Sequence, residues 1–202
     1  DVEVLALLTE KSQLSLIEEL EPDIVVSSGF EHKVPKEIIE VPEKGIVNLH
    51  PSYLPCNRGS HPYIWPLVDG TPAGVSIHFM SEEIDEGPII DKERVEIYPD
   101  DTSGSLRDRL MDRQFELFKE NWERIRDGVK GSEQMEDVAT THYRKELDEF
   151  TNLEMREEKK VEEVIDKLRA LSCPDEGLAY FEEDGERFFV DIDITSEEEL
   201  DH

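Results

Sequence analysis

Three short apolar runs, at residues 23–28, 46–50 and 74–80, do most to limit what this chain can become. Each has the length of a strand, and each is bounded by Pro, Gly or a polar turn former. Residues 23–28 follow Pro22 and are nearly continuously apolar up to Ser27, as a buried strand of a parallel sheet is. Segments of helical period separate the runs. Residues 12–20 carry Leu14, Ile17 and Leu20 three apart, and Pro35 suits the first turn of a short helix reaching Ile39. Residues 2–8 are apolar enough for one more strand, and residues 89–97 alternate like a strand pair after the Gly87–Pro88 turn. Strands alternating with helices predict an α/β layer fold with a partly parallel sheet.

The later half has a different pattern. Residues 103–126 predict one long amphipathic helix with Leu106, Leu110, Leu117, Trp122 and Ile125 on its apolar face, Ser103 as its cap and Gly128 as its terminator. A further helix is expected from Thr151, where Thr151-x-x-Glu154 has the form of a capping box, with Val161, Val164, Ile165, Leu168 and Leu171 as its stripe. Residues 178–194 predict a hairpin turning at Asp184–Gly185, with Phe181, Phe188 and Phe189 read as core. The expected division is a catalytic domain over residues 1–131 and a small helix-plus-hairpin extension over residues 132–202.

Candidate chemistry gathers at the end of the second run. Asn48 and His50 lie two apart on a strand, so their side chains share one face. Pro51 ends that strand at once, which puts both residues at its carboxyl end, where open α/β sheets bind ligands. Residues 51–71 then form a Pro-, Gly- and Asn-rich loop, and a loop of that length carrying Tyr53, Tyr63 and Trp65 is expected to be functional. Asp85 precedes a Gly87 turn and an apolar strand, so it is held on rigid supports and can face the same crevice.

In order, the motifs Asn48-Leu-His50-Pro-Ser52-Tyr-Leu54-Pro55, Gly59, His78-Phe79 and Asp85-x-Gly87-x-Ile89-Ile90 resemble the folate-dependent formyltransferases. The resemblance covers roughly residues 22–128 and rests on several separate motifs, which makes it specific. Within the family, Cys56-Asn57-Arg58-Gly59 and Thr141-His142-Tyr143-Arg144-Lys145 are most similar to the sugar N-formyltransferases. The family implies a Rossmann-like fold and transfer from 10-formyltetrahydrofolate to a primary amine, here that of a nucleotide-linked amino sugar, with no metal. It also implies a catalytic set in which Asn48 and protonated His50 donate to the tetrahedral oxyanion while Asp85 moves the amine proton. Phe30, Glu31, His32, Lys33 and Val34 would grip the pterin through their backbone, with Ser81, Glu82, Glu83 and Gly87 opposite. Ser52, Arg58, Gly59, His78 and His142 would contact the acceptor. For His78 a structural role stands beside this one, and for Arg58 simple pairing with a surface acid does.

The Asn-x-His motif follows only 47 residues here, so the match implies a chain lacking the family's usual N-terminal units. The edge thereby exposed could be covered by a partner subunit, and a homodimer is the expectation. Two other readings share the motifs: a 10-formyltetrahydrofolate hydrolase, with water in place of the amine, and a non-catalytic folate-binding or regulatory remnant. His32, His61 and His142 match no zinc spacing.

Fifty-one acidic residues against twenty-two basic ones leave a net charge of −29. That balance argues against nucleic acid, tRNA included, as a partner. No apolar run reaches the length of a membrane span, and Cys56 and Cys173 belong to no paired motif, so the expectation is a cytoplasmic chain with reduced thiols. The acids are spread along the whole chain, which points to a salt-adapted, halophilic surface; an ordinary acidic mesophile protein is the alternative. Thermal unfolding followed by circular dichroism is therefore predicted to move upward as KCl rises from about 0.1 M to about 2 M, because screening relieves self-repulsion. A flat or falling midpoint would contradict the salt-adapted reading.

Overall fold

The computed structural model describes residues 3, 4, 6–173 and 179–197. Val2, Leu5 and Leu178, which fall in expected elements, lie outside the described residues. The main sheet has four strands in the order β1 (Val25–Ser28), β2 (Ile46–His50), β4 (Gly74–Phe79) and β5 (Ile89–Arg94). β1 runs parallel to β2, whereas β2–β4 and β4–β5 are antiparallel, so the sheet is only partly parallel. α1 (Ser15–Leu20) and α2 (Lys36–Ile39) flank β1 and stand where the helical spacing puts them. They close a small core of Leu14, Ile17, Val34, Ile38 and Ile46.

The larger core lies under α4 (Ser103–Arg126), whose Leu106, Leu110, Leu117 and Ile125 are buried against Val47, Leu49, Val75 and Ile77 of β2 and β4. Thr102, not Ser103, caps this helix: its hydroxyl accepts from the Ser105 N–H, and the Ser105 hydroxyl accepts from Thr102 N–H in return. Gly128, at φ +88, follows the last turn as expected.

Residues 51–71 are largely irregular but hold two short elements, β3 (Arg58–Gly59) and α3 (Trp65–Asp69). β3 pairs in parallel with β6 (Thr141–His142), which ties the long loop to the extension. α5 (Arg144–Phe150) and α6 (Val161–Ala170) follow, then the hairpin β7 (Ala179–Glu183) and β8 (Glu186–Val190), which turns at Asp184–Gly185 as predicted. Arg169 fastens α6 to the body by donating to the carbonyls of Asp101 (2.7 Å) and Tyr98 (2.9 Å).

Four further expectations are corrected. The described residues among 2–8 form no strand, because they have no neighbouring strand to complete a ladder. Residues 89–97 hold one strand, Ile89–Arg94, rather than two, having no turn residue at which to reverse. Thr151 ends α5 instead of opening a helix: its N–H bonds the Leu147 carbonyl, and Glu154 accepts from Asn152 instead of closing a box. Phe188 and Phe189 are not core; Phe189 is 63% exposed. Both cysteines are buried free thiols. Among the described residues, no helix is long and apolar enough to cross a membrane.

Leu110 is completely buried at the α4–sheet contact, so Leu110→Ala should lower unfolding free energy by about 2–5 kcal/mol in denaturant titration. A loss under about 1 kcal/mol would show that this contact does not organise the core.

Candidate active site

The β2–β4 register places Asn48 directly opposite His78. His78 Nδ1 donates to the Phe79 carbonyl at 2.9 Å, and its Nε2 lies 3.2 Å from the Asn48 amide nitrogen. The Asn48 amide is thereby oriented before any ligand arrives. His50, on the same face of β2 and at its last position, is buried, and its Nε2 donates to the Asn57 carbonyl at 3.2 Å. Pro51 stops the strand there, and the chain is held by the Ser76 hydroxyl, which donates to the Ser52 carbonyl (2.8 Å) and accepts from Leu54 N–H (3.1 Å).

Asp85 approaches from the loop between β4 and β5. Its Oδ2 lies 3.6 Å from His50 Nε2, its Oδ1 lies 3.5 Å from His78 Nε2, and Oδ2 accepts the Gly59 N–H at 2.8 Å. Asp85 has φ +55, a left-handed conformation that costs a non-glycine residue about 1–2 kcal/mol. Gly87 lets the turn lie against β4: a Cβ there would stand 1.8 Å from the Phe79 carbonyl oxygen. Gly59 is needed for the same reason, since its Cβ would stand 2.3 Å from the His142 carbonyl oxygen. These close approaches explain both motif glycines.

Burial pushes the His50 imidazole below its ordinary value of 6.5; Asp85 pulls it up, His78 pushes it down and the Asn57 carbonyl raises it, with burial prevailing. Burial alone would raise Asp85, but the charge that His50 and His78 can place beside it, together with the Gly59 N–H, holds the carboxyl well below the usual carboxylate range. Burial thus favours the neutral form of the resting imidazole beside an ionised Asp85.

The three residues open into a cleft of about 570 Å³. Phe30, Glu31, His32, Lys33 and Val34 form one wall, and Ser81, Glu82 and Glu83 stand opposite; Lys36 and Glu82 bridge the rim at 3.4 Å. Among the described residues, the backbone groups of residues 30–34 have no backbone hydrogen-bond partner, so their N–H and C=O groups are available to a ligand. Gly59, His78 and His142 also line the cleft. The His142 ring stacks on Trp65 at 4.1 Å between centroids and is flanked by Asp69 and Glu146.

Ser52, Arg58 and Gly87 do not line the cleft. Ser52 is buried behind it, and the Arg58 guanidinium, 2% exposed, is consumed by Gln134, Glu136 and Glu86 and cannot also take a substrate phosphate. The cleft also includes residues that sequence reasoning missed, among them His61, Gln114, Tyr143 and Arg144. For Gln114 a signal existed: it falls four residues after Leu110, a polar group on the apolar face of α4. It is buried, and its Oε1 has no partner among the described residues. Among those residues, no group of His, Cys, Asp and Glu is arranged to hold a metal ion.

A family model described as formyl transferase matches residues 6–121. The chain belongs to that family. A second model, described as the N-formyltransferase dimerization C-terminal domain, matches residues 146–196 of this formyltransferase. The dTDP-4-amino-4,6-dideoxyglucose formyltransferase of Mycobacterium bovis is 32% identical over 178 residues, covering 87% of this chain and 74% of the relative. In structure, a sugar N-formyltransferase from Shewanella superimposes with a TM-score of 0.83 at 25% identity, over 92% of this chain and 75% of that one. The formyltransferase PseJ of Anoxybacillus kamchatkensis, solved with UDP-4,6-dideoxy-4-formamido-L-AltNAc and tetrahydrofolate, gives 0.60 at 33% identity over 63% and 67%.

The electrostatics of the formyltransferase site predict its titration. By proton NMR, His50 should titrate below 6.5, with His78→Gln moving the midpoint up and Asp85→Asn moving it further down. Because the folded midpoint is depressed, His50 contributes stability above its unfolded pKa of about 6.5, and that contribution is lost as pH falls through the window beneath it. A His50 midpoint above 6.5 would contradict burial as the dominant influence.

Proposed function

We propose that this formyltransferase moves the formyl group of 10-formyltetrahydrofolate to the primary amine of a nucleotide-linked amino sugar. The observation that carries the reading is the convergence of Asn48, His50 and Asp85 at one end of a cleft whose pterin wall offers unpartnered backbone groups. The sugar nucleotides named for the Mycobacterium relative and for PseJ support the acceptor class.

In the reaction the unprotonated amine attacks the formyl carbon, and the new C–N bond leaves negative charge on the formyl oxygen. Asn48, already oriented by His78, donates a hydrogen bond to that oxygen. His50 enters the reaction neutral and takes the proton that the attacking amine loses; the Asp85 carboxylate stabilises the resulting imidazolium. The imidazolium then gives that proton to the folate nitrogen as its bond to the formyl carbon breaks, releasing tetrahydrofolate and the formamide. Arg144 lines the cleft and forms no ion pair among the described residues, so it is placed to meet the acceptor's phosphates.

We further read the C-terminal extension as a homodimer contact. Val161, Val164, Ile165, Phe188 and Phe189 leave their apolar side chains partly or largely exposed, with Val161 at 75%, and the matched family model is described as a dimerization domain. Light scattering on a sizing column should show a dimer that Phe189→Glu converts to a monomer; a monomeric wild type would refute this contact.

The functional test follows tetrahydrofolate release with 10-formyltetrahydrofolate, with and without dTDP-4-amino-4,6-dideoxyglucose and related amino sugars. Release should require the amine, and His50→Ala or Asn48→Ala should lower turnover by about 10²–10³. Release without any amine would make the chain a hydrolase, and folate binding without release would support the non-catalytic reading.

A further inference from the structure

Residues 122–145 lie between the regions that the two family models match. Part of this stretch runs as a strap across the turn that carries Asp85. Ser132 forms a bridge with Ile89 through two 2.8 Å backbone hydrogen bonds, immediately after that turn. Gly131 passes so close that a Cβ there would lie 2.7 Å from the Pro88 carbonyl oxygen. Further along, Thr141 and His142 pair with β3.

Gln134 sits between these two attachments. Its Nε2 donates to the carbonyls of Asp85 (2.7 Å) and Gly87 (2.8 Å). Its Oε1 accepts from Arg58 Nε (3.2 Å) and Nη2 (2.9 Å). Both N–H groups and both lone pairs of the amide are thus engaged. Arg58 is in turn fixed by Glu136, through Nη1 (3.1 Å) and Nη2 (2.7 Å), and by Glu86 at 3.2 Å, which meets the charge of a guanidinium withdrawn from water. The residue after Arg58 is Gly59, whose N–H holds the Asp85 carboxylate itself. The strap therefore grips the backbone of the turn while β3 grips its side chain, and one arginine joins the two.

We propose that Gln134 is a positioning residue for Asp85: anchored by Arg58, it sets the direction of the carboxylate toward His50 by holding the two carbonyls of the turn. The proposal rests on the reading of Asp85 as a catalytic group. It also assigns a task to the connecting segment, and it gives Arg58 a role in the site without contact to substrate. Only an amide of this length serves. Glutamate would keep the bonds to Arg58 but set a carboxylate against two carbonyl oxygens, and alanine would leave both carbonyls unpartnered.

The test compares wild type with Gln134→Ala, Gln134→Glu and, as a strap control outside the clamp, Glu133→Gln. Two readouts are taken: steady-state kinetics with 10-formyltetrahydrofolate and dTDP-4-amino-4,6-dideoxyglucose, and the proton NMR titration of His50 without substrates. Both Gln134 variants should lose about tenfold to a hundredfold in kcat while both KM values stay within about twofold, the signature of misplaced chemistry rather than lost binding. Their His50 midpoint should also fall below wild type, because the Asp85 charge that raises it has moved away. Glu133→Gln should match wild type in both readouts. Should Gln134→Ala fail to fold, Gln134→Glu carries the same comparison. An unchanged kcat with an unchanged His50 midpoint overturns the proposal, as does a raised KM at constant kcat. The titration needs no turnover, so a wild type without transferase activity would defeat the functional reading and leave the clamp still testable.

Discussion

The site depends on a carboxylate that the fold keeps almost entirely out of water. The Asp85 side chain is 13% exposed, and a charge so placed is tolerated only when partners replace its lost hydration. Three do so: the Gly59 N–H at 2.8 Å, His78 at 3.5 Å and His50 at 3.6 Å. Each comes from a different stretch of chain, so holding this one group requires β2, β4 and the long loop to be in register. The left-handed backbone at Asp85, the Gly87 contact with β4 and the Gly59 contact with β6 are local consequences of bringing those elements together.

From that arrangement the rest follows in order. Pairing of Asn48 with His78 across β2 and β4 fixes the amide, and the ending of β2 at Pro51 puts His50 at the strand end that lines the cleft. Burial favours the neutral imidazole while Asp85 is held ionised. In the proposed reaction, that ring next to a fixed carboxylate would become more basic as negative charge grows on the formyl oxygen. Such an arrangement would stabilise the transition state differentially, since the resting enzyme would not bear the full cost of a buried ion pair.

The motif-bearing strands were legible in the sequence because their signals are local. Asn48 and His50 share a face by strand geometry alone, and Gly87 reports a turn too crowded for a side chain. The hairpin at Asp184–Gly185 was equally legible. What the sequence hid was set by distant contacts. Nothing near Arg58 says that Gln134 and Glu136, more than seventy residues away, will engage it and turn it from a candidate phosphate ligand into an anchor. The Thr151 pattern was a true capping signature, but Leu147 had already claimed its N–H. The exposure of Phe188 and Phe189 shows that hydrophobicity marks a surface to be covered without saying whether the same chain covers it.

The most direct measurement of this account is a crystal structure with a donor analogue that carries its formyl group on N5, together with the amino sugar nucleotide. The account predicts the pterin against the backbone of residues 30–34 and the reactive carbon at the Asn48–His50 end of the cleft. It also predicts that Asn48 Nδ2 lies about 2.7–3.1 Å from the position of the developing oxyanion. A donor bound elsewhere, or with its transferable carbon out of reach of both Asn48 and His50, would contradict it.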